Sequence, residues 1–202
     1  MKERLSIPAL FMAACAIAAI AWSTPARPAD PEAESIILVA KRQLKDQLYG
    51  STALIVRPIG AERHVGFIIN KPTQMTLGKL FPTHEPSKKV ADPVFLGGPV
   101  STEVIFALVQ GRQSPGGRSI KLLDDLYLAI DSEIVDRVIE KQPANARFFA
   151  GMVLWRPGEL SEEVKRGLWY VQDPRAELVL RKPTENMWEE LVGRSERKAN
   201  AI

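Results

Sequence analysis

Asn70 and Lys71 are the two residues whose types and position most directly suggest binding chemistry. They follow an apolar segment at 65–69 and come directly before Pro72, so both polar groups stand where a strand should end. An amide and an ammonium that line a cleft can hold an anionic or carbonyl-bearing ligand. Strand-ending turns use the same residue types, because proline lacks a backbone donor and asparagine bonds to nearby backbone groups. Both interpretations stay open, and the pattern favours strand termination.

Gly97 and Gly98, which are followed by Pro99, form a second candidate element. Two successive glycine N–H groups can form a small backbone concavity that binds an anion. The alternative is mechanical, because glycines allow positive φ or a close approach of two chains, and proline fixes the direction of the exit. Since loops at strand ends often carry function, we predict one ligand site from these two elements. Its predicted residues are Asn70, Lys71, Gly97 and Gly98.

The chain offers no recognisable catalytic constellation. Its two histidines, His64 and His84, accompany neither a nucleophile motif of the G-x-S-x-G type nor a zinc motif of the H-E-x-x-H type. The one cysteine, Cys15, lies close to the N-terminus, in a segment that we expect to be removed. Disulfides and thiolate chemistry are then excluded from the mature chain. We therefore predict no catalytic residue, no metal site and no cofactor.

Acidic residues cluster in two places. Asp124 and Asp125 are adjacent, and Glu159, Glu162 and Glu163 lie within one short segment. Paired carboxylates can perform acid–base catalysis on a glycoside. Adjacent acids are also typical of turns and of helix N-termini, where they stabilise the backbone. The second interpretation is favoured for both clusters.

Residues 1–29 have the layout of a secretory signal peptide. Lys2 and Arg4 make the start basic, an apolar segment runs from Ile7 to Trp22, and small residues follow. We expect cleavage between residues 23 and 29, which places the mature protein in the periplasm or outside the cell. An uncharged segment of this length can also remain as a membrane anchor, in which case the domain faces the periplasm.

The basic character of the chain belongs largely to this leader. The full sequence carries 27 basic and 24 acidic residues, but Lys2, Arg4 and Arg27 leave with the leader against only Glu3. The mature chain is close to neutral, its basic pairs are scattered and no helix-turn-helix pattern is visible, which argues against nucleic acid as a partner. We expect the partner to be an unknown protein or a small anionic ligand, with membrane contact only through an uncleaved leader.

The segments that must position these residues show both strand-like and helix-like patterns. A proline-rich linker is predicted at 30–35, a folded domain at 36–193 and a polar tail at 194–202. Short apolar runs rich in β-branched residues predict strands, and apolar spacing of three and four residues predicts helices. The predicted strands cover 36–39, 52–56, 65–69, 94–96, 104–109, 120–123 and 126–130, and the predicted helices cover 76–81, 134–139, 161–166 and 187–192. Hairpins interspersed with helices are typical of an α+β domain.

Three segments match the marks of a known family. Residues 66–72 have the form G-x-x-x-N-[KR]-P, residues 94–100 have the form V-F-x-G-G-P-V, and residues 149–160 are similar to G-W-x-x-G-Q-L. In this order they resemble the YqgE/AlgH family, over about residues 37–191. The third segment departs from the family pattern, because Glu159 stands where a glutamine is expected. Beside the four predicted ligand residues, the motif positions are Gly66, Pro72, Pro99, Gly151, Trp155, Gly158 and Trp169.

The resemblance implies a single compact α+β domain with a mixed, curled sheet and a few flanking short helices, and it implies little about activity. Together with the leader, the sequence favours a non-enzymatic binding or regulatory protein of the cell envelope. One alternative is a cytoplasmic transcriptional regulator, if the leader is not used. Another is an enzyme in the Asn70/Lys71 cleft, with Lys71 as an electrostatic stabiliser and Glu159 as an acid or base.

Overall fold

The computed structural model of the protein describes residues 34–200. The predicted leader, its cleavage site and most of the predicted linker lie outside the described residues. Within 34–200, no helix is long and apolar enough to cross a lipid bilayer.

Ten strands and six α-helices build the described part of the chain, with one short 3-10 helix at Pro143–Asn145. The strands are β1 Ile36–Ala40, β2 Ala53–Pro58, β3 His64–Ile68, β4 Pro72–Thr76, β5 Pro93–Leu96, β6 Val100–Gln110, β7 Ile120–Leu123, β8 Leu126–Ala129, β9 Ala146–Trp155 and β10 Trp169–Gln172. The helices are α1 Leu77–Leu80, α2 Glu85–Lys88, α3 Ser132–Lys141, α4 Glu159–Lys165, α5 Ala176–Val179 and α6 Met187–Asn200.

The strands of the described residues join into one sheet. Along its main path the strand order is β10-β1-β2-β3-β9-β6-β8-β7, and β4 joins through β5, which pairs with β9. β5 runs parallel to β9, whereas the other paired strands are antiparallel. The sheet is therefore mixed, and it curls into a half-barrel. This architecture confirms the predicted fold class of a single α+β domain with a curled, mixed sheet.

Alternating apolar residues give the sheet a buried surface on both faces. In β1, Ile37 and Val39 belong to the inner core of the curl, whereas Leu38 and Ala40 belong to an outer core on the opposite face. This alternation follows from the pleat, because successive side chains of a strand point to opposite faces. Residues of α5 and α6 contribute to the inner core, and α4 contributes to the outer core. Helix α3 covers a third core beside β6.

Helix α3 forms because its sequence supplies both a cap and a stripe. Asp131 precedes the helix and accepts the N–H of Glu133 at 3.1 Å, which satisfies one of the free N–H groups of the first turn. The predicted stripe is buried at helical spacing, and it consists of Ile134, Val135, Val138 and Ile139. Each such side chain contributes roughly 1.5–3 kcal/mol when fully buried, so packing fixes this helix against the sheet.

Strand β9 changes face in its middle. Phe149 packs in the inner core, whereas Val153 and Trp155, which a regular strand would place on the same face, pack in the outer core. Gly151 lies between them with a φ of 72°, a left-handed conformation that glycine adopts without a steric cost. The reversal coincides with an exchange of partners, because β9 pairs with β6 up to Met152 and with β3 from Val153 onward.

The backbone at Gly97 and Gly98 lies directly against β9 at Gly151 and Met152. A Cβ atom on Gly97 would lie 2.2 Å from the carbonyl oxygen of Gly151, and one on Gly98 would lie 2.3 Å from the carbonyl carbon of Met152. Both distances are far inside van der Waals contact, so neither position accepts a side chain. Neither glycine has a positive φ. Close approach of two backbones is therefore the mechanical reason for these glycines.

Most of the predicted strands and helices are present, and the elements that were not predicted are the strands β4, β9 and β10 and the short helices α2 and α5. β2 and β3 form the expected antiparallel pair, and β7 and β8 form a hairpin over Asp124 and Asp125. The sequence pattern did not predict β9 or β10. Pro72 has a double role, because it follows the end of β3 and is also the first residue of β4, a position where a missing N–H is tolerated.

The C-terminal segment differs from the predicted polar tail at 194–202. Helix α6 continues to Asn200, beyond the predicted domain boundary at residue 193. Two contacts hold this extension to the domain: Gln172 Nε2 donates to Ser195 Oγ at 2.7 Å, and Arg42 pairs with Glu196 at 3.0 Å. Residues 194–200 are polar, but they belong to the folded unit.

Candidate functional site

Asn70 uses its side-chain amide on the neighbouring β1–β2 loop. Its Oδ1 accepts the N–H of Ala53 at 2.9 Å, and its Nδ2 donates to the carbonyl of Ser51 at 3.0 Å. The side chain is half-buried and bridges two residues at the start of β2. Asn70 therefore fastens the end of the loop at 41–52 to the end of β3.

Lys71 is directed to the same loop. Its Nζ donates to the carbonyl of Leu48 at 2.6 Å. Burial lowers the pKa of the Lys71 ammonium, and the negative charge of Asp46 partly offsets that shift. Asp46 organises the loop from within, because its Oδ1 accepts the N–H groups of Leu48 and Tyr49 at 2.8 and 2.7 Å. Asn70 and Lys71 together hold the loop that carries Tyr49.

Gly97 and Gly98 lie beside this segment, and their backbone contacts are with β9 and, through the Gly97 carbonyl, with Ile68 of β3. The N–H of Leu96 donates to the carbonyl of Lys71 at 2.9 Å, so the two motif segments run side by side. The N–H of Gly97, however, donates to the carbonyl of Ala150 at 2.8 Å and is engaged inside the sheet. The ligand-binding role of Asn70, Lys71, Gly97 and Gly98 stays a prediction, while the polar contacts observed at Asn70, Lys71 and Gly97 are with the chain itself.

The remaining motif residues shape the surroundings of β9. A Cβ atom on Gly66 would lie 2.7 Å from Cζ3 of Trp155, so the glycine in β3 leaves room for the indole ring in β9. Gly158 precedes α4 with a φ of 77°, and Pro99 is exposed just before β6. These positions couple the first and third motif segments through packing.

Arg147, near the start of β9, carries a buried guanidinium. The residue is only 3% exposed, and its Nη1 donates to the carbonyls of Ile69 and Val179 at 3.0 and 2.7 Å. Its Nη2 donates to the carbonyl of Arg181. The guanidinium carbon lies 4.3 Å from the centre of the Phe95 ring, which is a cation–π distance. The Nε of Arg147 is buried and has no hydrogen-bond partner among the described residues.

The charge of Arg147 is not neutralised by a direct ion pair within the described chain. Burial lowers the pKa of the guanidinium to about 10; Asp92 partly offsets that shift, and Arg181 adds to it. Asp92 is itself paired with Lys182. Arg147 is therefore a buried cation, charged at neutral pH and held mainly by carbonyl dipoles.

A cavity of about 170 Å³ lies beside Arg147. Apolar side chains form most of its wall, and the half-exposed side chains of Asp92 and Lys182 place their ion pair at its rim. We call this space the arginine cavity and define it by Pro72, Phe95, Arg147, Phe148, Lys182 and Pro183. Two motif segments contribute to it, since Pro72 follows Lys71 and Phe95 precedes the two glycines.

A second cavity, of about 150 Å³, lies at the other end of β9. The indole Nε1 atoms of Trp155 and Trp169 both donate to Oε2 of Glu163, at 3.1 and 2.8 Å. The rings of Tyr49 and Trp169 meet edge to face, with centres 6.4 Å apart and planes at 80°. We call this space the indole pocket and define it by Tyr49, Trp155, Glu159, Glu163 and Trp169.

Carboxylates surround the phenol of Tyr49. Burial raises the pKa of this phenol, and the negative charges of Glu163, Asp46 and Glu159 raise it further. Glu159 is held by Arg156, whose N–H donates to Oε2 at 2.9 Å and whose guanidinium lies 3.3 Å from Oε1; both contacts lower the pKa of Glu159. The indole pocket therefore combines aromatic walls with negative charge.

The other polar residues considered in the sequence do not join either cavity. Asp124 pairs with Lys121 at 2.9 Å, and Asp125 accepts Nε2 of Gln110 at 2.8 Å. His84 Nδ1 lies 2.7 Å from Ser87 Oγ. Within residues 34–200, no group of three or more histidine, cysteine, aspartate or glutamate side chains is arranged to hold a metal ion. The acidic pair occupies a hairpin turn.

Sequence reasoning does not identify Arg147 or Tyr49 as candidate site residues. For Arg147 a signal exists, because it is a lone charge in the otherwise apolar segment 146–155, and a buried charge requires a tertiary partner or a ligand. For Tyr49 there is no comparable signal, since it lies in a loop among polar residues. The side chains of Tyr49 and Glu163 meet only through the folded sheet.

Comparison with known proteins supports the resemblance seen in the motifs. The AlgH-like family model, DUF179, matches residues 37–200. A UPF0301 protein of Chlorobaculum parvum is 27% identical over 159 residues, covering 77% of this chain and 83% of the relative. A UPF0301 protein of Cytophaga hutchinsonii is 26% identical over 159 residues, covering 77% of this chain and 86% of the relative.

Two solved structures share the fold. The solution structure of the AlgH protein from Pseudomonas aeruginosa has a TM-score of 0.68 at 18% identity, covering 83% of this chain and 92% of that one. The crystal structure of protein DIP2367 from Corynebacterium diphtheriae has a TM-score of 0.65 at 17% identity, with coverages of 84% and 90%. At these identities the likeness shows the fold alone. Because the family model spans nearly all of the described residues, the chain belongs to the AlgH-like family.

Proposed function

We propose that this protein is a non-enzymatic binding protein that takes up a small organic anion, a carboxylate with an apolar body, in the arginine cavity. One observation carries the proposal: the guanidinium of Arg147 is buried beside a cavity, its Nε lacks a partner among the described residues, and no described carboxylate pairs with it. The expected anionic ligand thus finds a cation next to the predicted Asn70 and Lys71 segment.

The energetics of a buried charge support an anionic occupant. Removing a cation from water costs desolvation free energy, and carbonyl dipoles offset only part of that cost. Asp92 is near enough to raise the pKa of Arg147, but its direct ion pair is with Lys182. A carboxylate that reaches the guanidinium would supply a charge-assisted hydrogen bond, which is about twice as strong as a neutral one.

The walls of the arginine cavity support a ligand with an apolar body. Phe95, Phe148 and Pro183 are among its lining residues, and Lys182 lies at the rim in its ion pair with Asp92. An apolar cavity of about 150 Å³ in another protein accepts benzene, so a cavity of this size accepts one ring. An aromatic carboxylate therefore matches both the charge and the size.

Benzoate and its neutral analogue benzamide provide the test. Titration of the folded protein with each compound, followed by two-dimensional NMR of the backbone amides, measures both affinities at constant ionic strength. We expect saturable benzoate binding that shifts signals around Phe95 and Arg147, and benzamide binding that is weaker by about tenfold or more. Equal affinities, or no saturable benzoate binding, would overturn the proposal.

Lys182→Met tests whether benzoate binding depends on the arginine cavity or on the overall surface charge of the protein. Lys182 and Lys121 are matched, because each pairs with an aspartate and their side chains are 52% and 56% exposed. We expect Lys182→Met to weaken benzoate binding by roughly threefold or more, and Lys121→Met to leave it unchanged. A similar loss in both variants would mean that benzoate responds to net charge and not to this cavity.

The cellular location is part of the proposal. The predicted leader supports a role in the cell envelope, and N-terminal sequencing of the protein from fractionated cells tests it. A mature start between residues 24 and 30 in the periplasmic fraction is the expected result. An intact leader in the cytosol would favour the cytoplasmic regulator, while an intact leader in the membrane fraction would favour the anchored form.

A further inference from the structure

We propose that the indole pocket is a second binding site, which takes a methylated ammonium group. This site is at the opposite end of β9 from the arginine cavity and does not depend on the proposed anion binding. Its ligand class is a small organic cation with apolar methyl groups, such as the choline headgroup.

The pocket has the walls that such a cation requires. Trp155 and Trp169 are 3% and 5% exposed, and Glu163 fixes both rings because one carboxylate oxygen accepts both indole N–H groups. The ring of Tyr49 stands at 80° to the ring of Trp169, so adjacent walls meet nearly at right angles. Aromatic faces attract cations, and cages of two or three rings recognise quaternary ammonium groups.

The charges of the pocket favour a cation over a neutral ligand. Glu163 forms no ion pair within residues 34–200, and its hydrogen bonds come from two neutral indoles. Glu159 is paired with Arg156, whose side chain is 85% exposed. The ammonium of Lys71 is bound to the Leu48 carbonyl and does not line the pocket. A ligand cation would therefore be the direct charge partner of Glu163.

Size and hydration favour methylated ammonium over other cations. A cavity of about 150 Å³ in another protein accepts benzene, and the indole pocket has a similar volume of about 150 Å³. A primary ammonium is compact and strongly hydrated, so it loses more on leaving water. A methylated ammonium is weakly hydrated, and its methyl groups contact the rings directly.

Choline and 3,3-dimethylbutan-1-ol form the decisive pair of probes, because the alcohol has the same shape without the charge. NMR of the indole N–H signals reports on the pocket through Trp155 and Trp169, and Trp188, bonded to the Ala40 carbonyl at 2.7 Å, serves as an internal reference. We expect choline to shift the first two signals saturably at constant ionic strength, with affinity about tenfold above that of the alcohol. Equal responses, or no saturable choline response, would overturn the proposal.

Two pairs of variants test the roles of ring and charge. Tyr49→Phe keeps the ring and should retain choline binding within about twofold, whereas Tyr49→Leu should weaken it about tenfold. Glu163→Gln removes the charge and keeps an acceptor for an indole, while Glu162→Gln changes a 66% exposed carboxylate on the same helix. Loss in Glu163→Gln with no loss in Glu162→Gln supports the site. Equal losses in both, or normal binding in Tyr49→Leu, would refute it.

Phosphatidylcholine vesicles identify the source of the ammonium group. Sedimentation of the protein with these vesicles, reversed by free choline, assigns the site to a lipid headgroup. Choline binding without sedimentation assigns it to a free compound. Vesicles of phosphatidylglycerol are the control without an ammonium group, measured at high ionic strength to suppress binding to their negative charge.

Discussion

Arg147 and Trp155 lie near the two ends of one strand, yet the protein holds them in different ways. The guanidinium of Arg147 is fixed by backbone carbonyls from the end of β3 and from the segment around α5. The indole of Trp155 is fixed by a side chain, the carboxylate of Glu163, which also holds Trp169. One region thus places a buried cation among carbonyls, and the other places a carboxylate among rings.

The two modes of fixation indicate which region contributes more to the stability of the fold. Backbone carbonyls cannot be exchanged by substitution, and once buried they require a donor. Arg147 is therefore expected to matter for folding as well as for binding. Glu163 and Tyr49 are half-buried, so these two side chains are themselves partly in contact with water. The indole pocket is expected to tolerate substitution better than the arginine cavity does.

The largest expected effect is that of Arg147→Met. This change leaves the carbonyls of Ile69, Val179 and Arg181 without their donor, and we expect the free energy of unfolding to fall by about 4 kcal/mol. Urea denaturation followed by circular dichroism measures it. Arg118→Met is the control, since its side chain is 85% exposed and should change stability by less than about 0.5 kcal/mol. A loss of less than about 1 kcal/mol for Arg147→Met would mean that the arginine cavity does not contribute more to stability than the indole pocket does.

Gly98→Ala tests the junction between the two regions. The added Cβ would meet the carbonyl carbon of Met152 at 2.3 Å, and the backbone of β9 cannot move away without breaking its pairing. We expect a loss of about 3 kcal/mol in the free energy of unfolding. Gly111→Ala is the matched control, because its nearest neighbour would lie at 3.4 Å, an ordinary contact. Similar melting curves for the two variants would contradict the close approach.

Asn70→Ala should affect the loop at 41–52 and the indole pocket, and should leave the arginine cavity unchanged. It removes the acceptor of the Ala53 N–H and the donor to the Ser51 carbonyl, and we expect a loss of about 1.5 kcal/mol. Hydrogen exchange of the amides at 41–52 should become faster, because the loop is no longer fastened. Since this loop carries Tyr49, choline binding should weaken while benzoate binding persists. Equal weakening of both would show that Asn70 supports the whole fold.

The smallest expected effect is a change in alkaline stability in Tyr49→Phe. The pKa of Tyr49 is raised above its ordinary value of 10.0, so the folded chain holds this proton more tightly than the unfolded chain. The resulting stabilisation is present below about pH 10 and is lost as the pH rises above it. Tyr49→Phe lacks this contribution, so its stability should decline less than that of the parent between about pH 9 and 11. Urea midpoints across that range measure the difference.

Arg147 responds to alkaline pH with the opposite sign. Its pKa is lowered to about 10 by burial, so the unfolded chain holds this proton more tightly. The cost of burying the charge is therefore released, and stability rises, as the pH passes through about 10. A parallel shift of urea midpoints in the parent and in Tyr49→Phe would contradict the separate titration of Tyr49.

The elements that follow a simple period could be predicted from the sequence. The apolar stripe of α3 and its cap Asp131 need only local information, and so do the β-branched runs of β1 and β2. Strand β9 could not be predicted in this way, because Arg147 and Gly151 interrupt its apolar pattern and its faces reverse at the glycine. β10 is short and lies at the sheet edge, where a strand depends on its neighbour.

The motif segments could be predicted, but not their contacts. The motif pattern identifies Asn70 and Lys71 as candidate residues. It cannot show that both side chains form hydrogen bonds with the loop at 41–52. The donors of Arg147 reach carbonyls 32, 34 and 78 residues away, so its surroundings exist only after the chain has folded. The same holds for Glu163, whose two indole partners come from different strands.

The left-handed turn at Gly151 has a consequence for how many molecules the protein can hold. Positions 147 and 155 would share one face of a regular strand, and ligands at both ends would then compete for the same side of the sheet. The reversal sends the two side chains to opposite faces. If both proposed sites bind their ligands, an occupied arginine cavity leaves the indole pocket sterically free, and the small domain would then act as a bivalent connector between an anion and a cation.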